Sequence, residues 1–433
     1  MSAPRHRVIF VNRFFYPDEA ATSILVSDLA FSLDKTVFEP HAIAGLSYYK
    51  RVLGRLESLE QVNGVTVHRV RTLRNSNGSM ASRFMNFLMF YIGASIALLR
   101  HVRPGDTVVC MTDPPLSLIP VFIATSLRGG RLINWVQDVF PETATRLGYG
   151  NNLVPLIAPA RIARDWTWRS ADANVVLGSR MAQHLASHGV EKDAIRIVPN
   201  WAKEMDLVPC AQQIATLRER WGLKPNDFVV MYSGNLGRVH EIDTVLNCIE
   251  LLSRRNIDGI KFLFVGGGAK TPFVREFVEA NHIHNCIFSD FLDSSLLASN
   301  LAVADVHWMS LRSDLEGLVV PSKFYAASAV GRPIIFIGDP DGELALDIRE
   351  ADCGHSILTG RFEELADYIL SLKGNVAECR RLGLNAKIRA NSVNARSNRI
   401  QSWQEILLGA KMDRQVANIM QQHLHVDPSA DRA

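Results

Sequence analysis

Short runs of β-branched and aromatic residues recur along this chain, each followed by apolar residues at helical spacing, and the alternation occurs twice. Buried parallel strands read as short apolar runs, and the crossovers between them are helices. The pattern therefore predicts an α/β fold of two Rossmann-like, doubly wound parallel sheets. In the first half, strands are expected at Arg7–Asn12, His41–Ala44, Val65–Arg69, Thr107–Met111, Arg131–Val136, Ala173–Leu177 and Ile195–Val198. A helix is expected over Ser23–Leu33, with Ser23 as its N-cap.

Pro199–Pro209 (PNWAKEMDLVP) interrupts the alternation. It restarts with strands expected at Phe228–Tyr232, Lys261–Val265, Cys286–Phe288, Val306–Met309 and Pro333–Ile337. Helices are expected at Asp243–Leu252, Phe273–Ala280 and Leu296–Ala304, and one long helix at Ser392–Leu408. The expected organisation is a first domain over 1–205, a second over 206–388, a closing helix within 389–411, and a polar tail over 412–433. Two such domains imply a cleft between them. Open parallel sheets bind ligands beyond the carboxyl ends of their strands, so the loops after the strands are where chemistry is sought.

A net charge of +3 is too small to indicate a nucleic-acid partner. The six cysteines are scattered, with no metal-ligand spacing, and the start of the chain lacks a signal-peptide pattern. Both point to a cytoplasmic protein. Phe84–Leu99 (FMNFLMFYIGASIALL) is short for a membrane span and is flanked by Arg83, Arg100, His101 and Arg103. It reads either as a helix buried in the first domain or as one lying against a membrane interface.

Five strand-end segments carry candidate chemistry. Tyr232–Arg238 (YSGNLGR) offers glycines for close backbone approach to an anion and Arg238 as a diphosphate clamp. Val265–Gly268 leaves room for a ligand through Gly266 and Gly267. Asp314–Pro333 clusters Glu316, Gly317 and Lys323 around a helix start at Pro321-Ser322, apt for a leaving diphosphate. Gln137–Glu142 puts Asp138 at a strand end, where it would bind a hydroxyl or take a proton. Asn12–Ser23 supplies Glu19, Thr22 and Ser23 as polar groups to the acceptor side, with Asp113 in the comparable Met111–Pro115 loop. No Asp-x-Asp metal-bridging motif is read along the chain, and no essential metal or other cofactor is expected. His240 and His307 lie near these loops and read more readily as structural.

The order of FYPDEAATS, TDPP, WVQDVFPE, PNW, SGNLGR, EGLVVPSKFY and GRP resembles the family 4 glycosyltransferases of the GT-B fold. The likeness is to the bacterial branch of exopolysaccharide, capsule and O-antigen assembly, similar to the colanic-acid and fucosaminyl transferases. The resemblance implies a retaining transfer from a nucleoside-diphosphate sugar, usually UDP-linked. It implies a donor site in the second domain and an acceptor site in the first. Gly234, Asn235 and Arg238 would then meet the diphosphate; Gly317, Leu318, Val319, Pro321, Ser322 and Lys323 would surround sugar and phosphates; Asp290, Phe291 and Leu292 would pass near the base. Ser392–Leu408 resembles the family's closing helix. The sequence departs at Ala326, where many members have a ribose-binding glutamate, and at Glu19-Ala20-Ala21, where many have glycines.

The expected catalytic set is Asp138, Arg238, Lys323 and Glu316. The expected reaction is transfer from a UDP-sugar to a lipid-linked glycan at the inner membrane face, with peripheral membrane contact. The alternatives are a UDP-sugar epimerase of the same fold and a non-catalytic sugar-nucleotide-binding protein.

Overall fold

A computed structural model describes residues 5–49, 54, 56–72, 80–149, 154–202 and 208–409. The chain divides into two compact units, one formed by Met1–Pro199 with Arg399–Ala433 and the other by Asn200–Asn398. The tail expected at 412–433 lies outside the described residues.

The first unit runs β1 (His6–Val11), α1 (Ala21–Ser32), β2 (Phe38–Gly45), β3 (Leu59–Val62), β4 (Val65–Val70), α2 (Met80–His101), β5 (Thr107–Met111) and α3 (Leu118–Leu127). It continues with β6 (Arg131–Trp135), α4 (Glu142–Arg146), α5 (Val154–Ser170), β7 (Ala173–Val176), α6 (Ser179–Ser187) and β8 (Ile195–Ile197). The sheet order is β3-β4-β2-β1-β5-β6-β7-β8. Every pairing is parallel except the β3–β4 hairpin. Central strands are apolar at consecutive positions because helices cover both faces. Val8, Ile9, Phe10 and Val11 are all buried for this reason.

The second unit runs α7 (Ala211–Arg220), β9 (Phe228–Asn235), α8 (Asp243–Arg254), β10 (Ile260–Gly267), α9 (Thr271–Ala280), β11 (Cys286–Ser289), α10 (Leu297–Ala302) and β12 (Val306–Ser310). Then come α11 (Lys323–Ala329), β13 (Ile334–Gly338), α12 (Glu343–Ala351), β14 (Gly354–Leu358), α13 (Phe362–Gly374) and α14 (Val376–Asn391). The last helix, α15 (Arg396–Leu407), carries the chain into the first unit. The sheet is parallel throughout, in the order β11-β10-β9-β12-β13-β14. Its winding reverses between β9 and β12, and ligands of such sheets sit at the carboxyl ends beside that reversal. Its core gathers Tyr232, Phe262, Phe264 and Trp308.

Three local expectations are corrected. Helix α1 begins at Ala21, and Ser23 lies inside it, fully buried, rather than capping it. The strand at Phe228 runs on to Asn235 instead of stopping at Tyr232. The expected helix Ser392–Leu408 is broken, with α15 starting only at Arg396. The backbone leaves the helical pattern after Ser392: Asn394 N donates to Arg389 O at 2.9 Å and Ala395 N to Ser392 O at 3.2 Å, while Asn394 Nδ2 donates to Asp347 Oδ2 at 3.2 Å. Helix α15 then buries Trp403 against Trp135 at 4.5 Å between ring centroids.

Candidate functional site

In the second unit, two segments that stand far apart in sequence form one structure. β9 and β10 pair to their ends, with Gly234 opposite Gly266 and Asn235 opposite Gly267. A Cβ on Gly266 would stand 2.4 Å from Gly234 O, so the approach requires glycine there. Leu236 N then donates to Gly267 O at 2.6 Å, folding the chain over the edge. The helix that follows, α8, begins only at Asp243, so Gly237 and Arg238 lie in a loop ahead of it and not at a helix N-terminus.

Lys323, the first residue of α11, lies across this glycine edge. Its Cε would be 2.2 Å from a Cβ on Gly234, and its Nζ is 5.8 Å from the Tyr232 ring centroid. Burial lowers the Lys323 ammonium to about 8. Among the described residues no carboxylate pairs with it. A partly buried cation without a counter-ion is costly unless something anionic arrives.

The loop beneath is pinned by a buried pair. The Tyr232 hydroxyl lies 2.8 Å from Asn235 O and 3.0 Å from His240 Nε2. His240 Nδ1 donates to Ser310 O at 2.8 Å, tying the end of β9 to the end of β12. Burial, reinforced by the Lys323 charge, lowers the His240 imidazole to about 4, so the ring is neutral. His307 is also structural, with its Nε2 at 2.9 Å from Leu301 O in the core.

The remaining donor-side residues are distributed around Lys323. Glu316 Oε1 accepts from Glu343 N at 2.9 Å, so this carboxylate caps α12. Burial raises the Glu316 carboxyl. Gly317 takes φ +73° and is followed by buried Leu318, half-buried Val319 and buried Pro321. Pro321 stands outside α11, and Ser322 precedes it without making a side-chain cap. The Phe291 ring covers Gly266 and Gly267, with atoms 3.0 and 3.6 Å from where their Cβ atoms would be. Asp290 is exposed beside it, and Leu292 packs inward on the sheet. Arg238 is exposed on its loop. Ala326 is half-buried on α11, packed against the cluster of Ala298, Leu301 and Val330.

In the first unit, the ends of β1, β5 and β6 come together. Arg13 N donates to Asp113 O at 2.9 Å, and Arg13 Nε is 3.3 Å from Asp113 Oδ1. The Arg13 guanidinium also lies over Phe14 and Phe87, at 4.3 and 4.9 Å from their centroids. Gln137 N donates to Thr112 Oγ1 at 3.3 Å, drawing the Asp138 loop to the Asp113 loop. Asp138 is exposed on its loop; desolvation by the neighbouring loops, and then the Asp113 charge, raise its carboxyl to about 6. Burial likewise raises Asp113, which Arg13 opposes.

Thr22 Oγ1 accepts from Asn12 Nδ2 at 3.3 Å, and Glu19 is exposed. Ser23 is 0% exposed and cannot touch an acceptor, a correction to its expected role. Asp18 bonds Ala20 N and Tyr49 N and so shapes the loop. Arg13 was missed at sequence level because a lone arginine after a strand carries no pattern; its flanking phenylalanines were the available signal.

The chain does hold one Asp-x-Asp pair, Asp339-Pro340-Asp341, outside the five segments. Here Asp339 Oδ1 accepts from Asp341 N at 2.9 Å, closing a turn after β13, and Asp341 faces Arg349 at 3.9 Å. Its sequence spacing alone is therefore explained by a turn.

Residues 26–201 match the glycosyl transferase 4-like domain, and residues 213–389 match glycosyl transferases group 1. The chain is similar to the glycosyltransferase WbjE of Pseudomonas aeruginosa, 26% identical over 69% of this chain and 74% of the relative. It is also similar to the colanic acid biosynthesis glycosyl transferase WcaI of Escherichia coli, 22% identical over 61% of this chain and 66% of the relative. Among solved structures, HepE of Anabaena in complex with UDP-glucose superposes with a TM-score of 0.69 at 13% identity, covering 93% of this chain and 99% of HepE. With both units built as parallel α/β sheets and both domain models matched in order, the chain belongs to the family 4 glycosyltransferases of the GT-B fold, as a glycosyltransferase of polysaccharide biosynthesis.

Proposed function

We propose that this enzyme transfers a sugar, with retention of anomeric configuration, from a UDP-sugar to a lipid-linked glycan at the inner face of the membrane. The observation that carries the donor side is Lys323: a partly buried ammonium lying across the Gly234 edge with no carboxylate partner among the described residues. A diphosphate would supply the missing negative charge. Lys323 and Arg238 would stabilise the charge that develops as the bond from anomeric carbon to phosphate oxygen breaks, the term that usually dominates such catalysis. The new bond forms to an acceptor hydroxyl oriented by Asp138, UDP leaves, and the hydroxyl proton passes to the departing diphosphate oxygen. HepE's complex with UDP-glucose supports the donor class by analogy of fold. No essential metal is assigned, since Lys323 and Arg238 would do the work of a cation.

The test is nucleoside diphosphate release from a panel of UDP- and GDP-sugars, in EDTA, with and without a membrane lipid extract. Release from one UDP-sugar that rises with lipid is the expected result, and NMR of the product reports the anomeric outcome. Loss of all release in EDTA, restored by a divalent cation, would overturn the metal-free step. UDP binding without turnover would favour a non-catalytic binder and turn attention to Ala326. A free, altered UDP-sugar formed without acceptor would favour the epimerase.

A further inference from the structure

A helix at the surface of a soluble domain hides its apolar stripe and shows a polar one. α2 follows only the first half of that rule. Phe90, Ala94 and Leu98 are buried, yet the opposite stripe of Met85, Leu88, Ile92, Ile96 and Leu99 is also apolar and is 38–53% exposed. One face thus fits the reading of a helix buried in the first domain, and the opposite apolar face is left open. α2 packs along α3, and α3 along α5. These neighbours extend the face with exposed Ile123 and Leu127 of α3 and Ile162 and Trp166 of α5. Phe122 meets Trp166 edge-on at 4.8 Å, joining α3 to α5. Scattered apolar residues need no explanation, but a patch shared by three adjacent helices does.

Charge indicates what covers it. The sequences of α2 and α3 contain no acidic residue. Exposed Arg100, Arg103 and Arg128 stand where these two helices end, and Arg128 Nε donates to Val102 O at 3.1 Å, which holds them at one rim. Hydrocarbon in the middle and guanidinium groups at the edge complement acyl chains and lipid phosphates. A spanning role does not fit, because the inner stripe of α2 is buried and the helix is the crossover from β4 to β5. The other end of α2 leads to the strand-end site: Phe87 stacks under Arg13, and the Tyr91 hydroxyl donates to Pro115 O.

We propose that the first unit docks on an anionic bilayer through a face built by α2, α3 and α5 together, with the helices in the interface plane and Arg100, Arg103 and Arg128 on lipid phosphates. The proposal deepens the transferase reading, on which its purpose rests: a lipid-anchored acceptor would meet the Arg13–Asp113 loops at the bilayer surface.

The test is co-sedimentation of the full chain with vesicles, without donor or acceptor. Binding is expected to phosphatidylcholine vesicles containing about 30% phosphatidylglycerol, and to be about tenfold weaker to phosphatidylcholine alone and at raised salt. Ile92→Glu, Leu127→Glu and Ile162→Glu are each expected to weaken binding by about tenfold or more. Charge reversal at Arg100, Arg103 and Arg128 together is expected to abolish the preference for phosphatidylglycerol. Circular dichroism and thermal unfolding check that each surface variant is folded, and further substitutions at Leu88 and Ile96 replace any that is not. Failure of the wild type to sediment with either vesicle overturns the proposal. So does wild-type binding by both Leu127→Glu and Ile162→Glu, or a soluble dimer that these substitutions break apart. Donor hydrolysis without lipid is followed in parallel. Intact hydrolysis with no vesicle binding defeats the docking face alone; vesicle binding without turnover of any donor defeats the transferase reading alone.

Discussion

A Cβ placed on Gly234 would stand 2.2 Å from Cε of Lys323, so the lysine can cross the strand edge only because residue 234 has no side chain. Gly234 also takes φ +140°, where an L side chain is strained by about 1–3 kcal/mol. Gly234→Ala is expected to displace Lys323 and raise the donor KM by about tenfold, the equivalent of about 1.4 kcal/mol. Calorimetric titration with UDP and steady-state kinetics both read this. Unchanged donor affinity in the variant would refute the placement of Lys323 on the donor.

Lys323→Met separates activity from stability. Loss of a charge aimed at the leaving group is expected to lower kcat by about 10²–10³. Removing an unpaired, partly buried ammonium is expected to stabilise the fold by about 1 kcal/mol near neutral pH. The sign follows from a folded-state value of about 8, lowered from 10.5. Below 8 the wild type must bury the charge; between 8 and 10.5 its folded state is already neutral, and the advantage of methionine fades. Urea unfolding of both proteins across that window measures it.

The pH dependence of kcat/KM is expected to be bell-shaped. Asp138, raised to about 6, must be ionised to orient an acceptor hydroxyl, giving the acid limb. Lys323, lowered to about 8, must keep its proton, giving the alkaline limb. Lys323→Arg is expected to push the alkaline limb upward while leaving the acid limb in place. An alkaline limb that does not move assigns it to another group.

How much of this was legible follows the range of the interactions. Strands such as Thr107–Met111 and Val306–Ser310 are short apolar runs, visible because burial on both faces dictates composition. The β3–β4 hairpin escaped the reading, although Asn63-Gly64, both at positive φ, is a two-residue hairpin signal. The individual donor-side segments were legible as glycine and Pro-Ser-Lys motifs. That Gly234 and Gly266 pair, and that Lys323 lies over them, depends on strand order and was not. Ser23 misled because a serine before an apolar run reads as a cap even where the chain buries it inside the first turn.

Tyr232→Phe tests the pinned loop. Without the hydroxyl, Nε2 of buried His240 loses its partner, which costs about 1–3 kcal/mol. Thermal unfolding should register that loss, and donor KM should rise with it as Asn235 is released. In a cycle with His240→Leu, the two effects should fall short of additivity by about 1 kcal/mol. Full additivity would mean that the two side chains act separately.

Glu316 can be divided between cap and chemistry. Glu316→Gln keeps a carbonyl oxygen for Glu343 N, so stability should hold, whereas Glu316→Ala should lose about 1 kcal/mol through the uncapped helix. A fall in kcat for the glutamine variant at unchanged Tm would assign the charge to the reaction. Equal kcat would leave Glu316 with the helix alone.

Trp403, fully buried against Trp135, gives the two units different birth orders. Everything the second unit needs lies in one unbroken stretch, Asn200–Asn398, so it can close its core as soon as that stretch emerges from the ribosome. The first unit is synthesised earlier yet lacks α15 until the stretch of the second unit has been made. Domains ordinarily fold in the order they are made; here the N-terminal sheet must wait, its indole at Trp135 uncovered, for a helix encoded beyond the whole of the second unit's stretch.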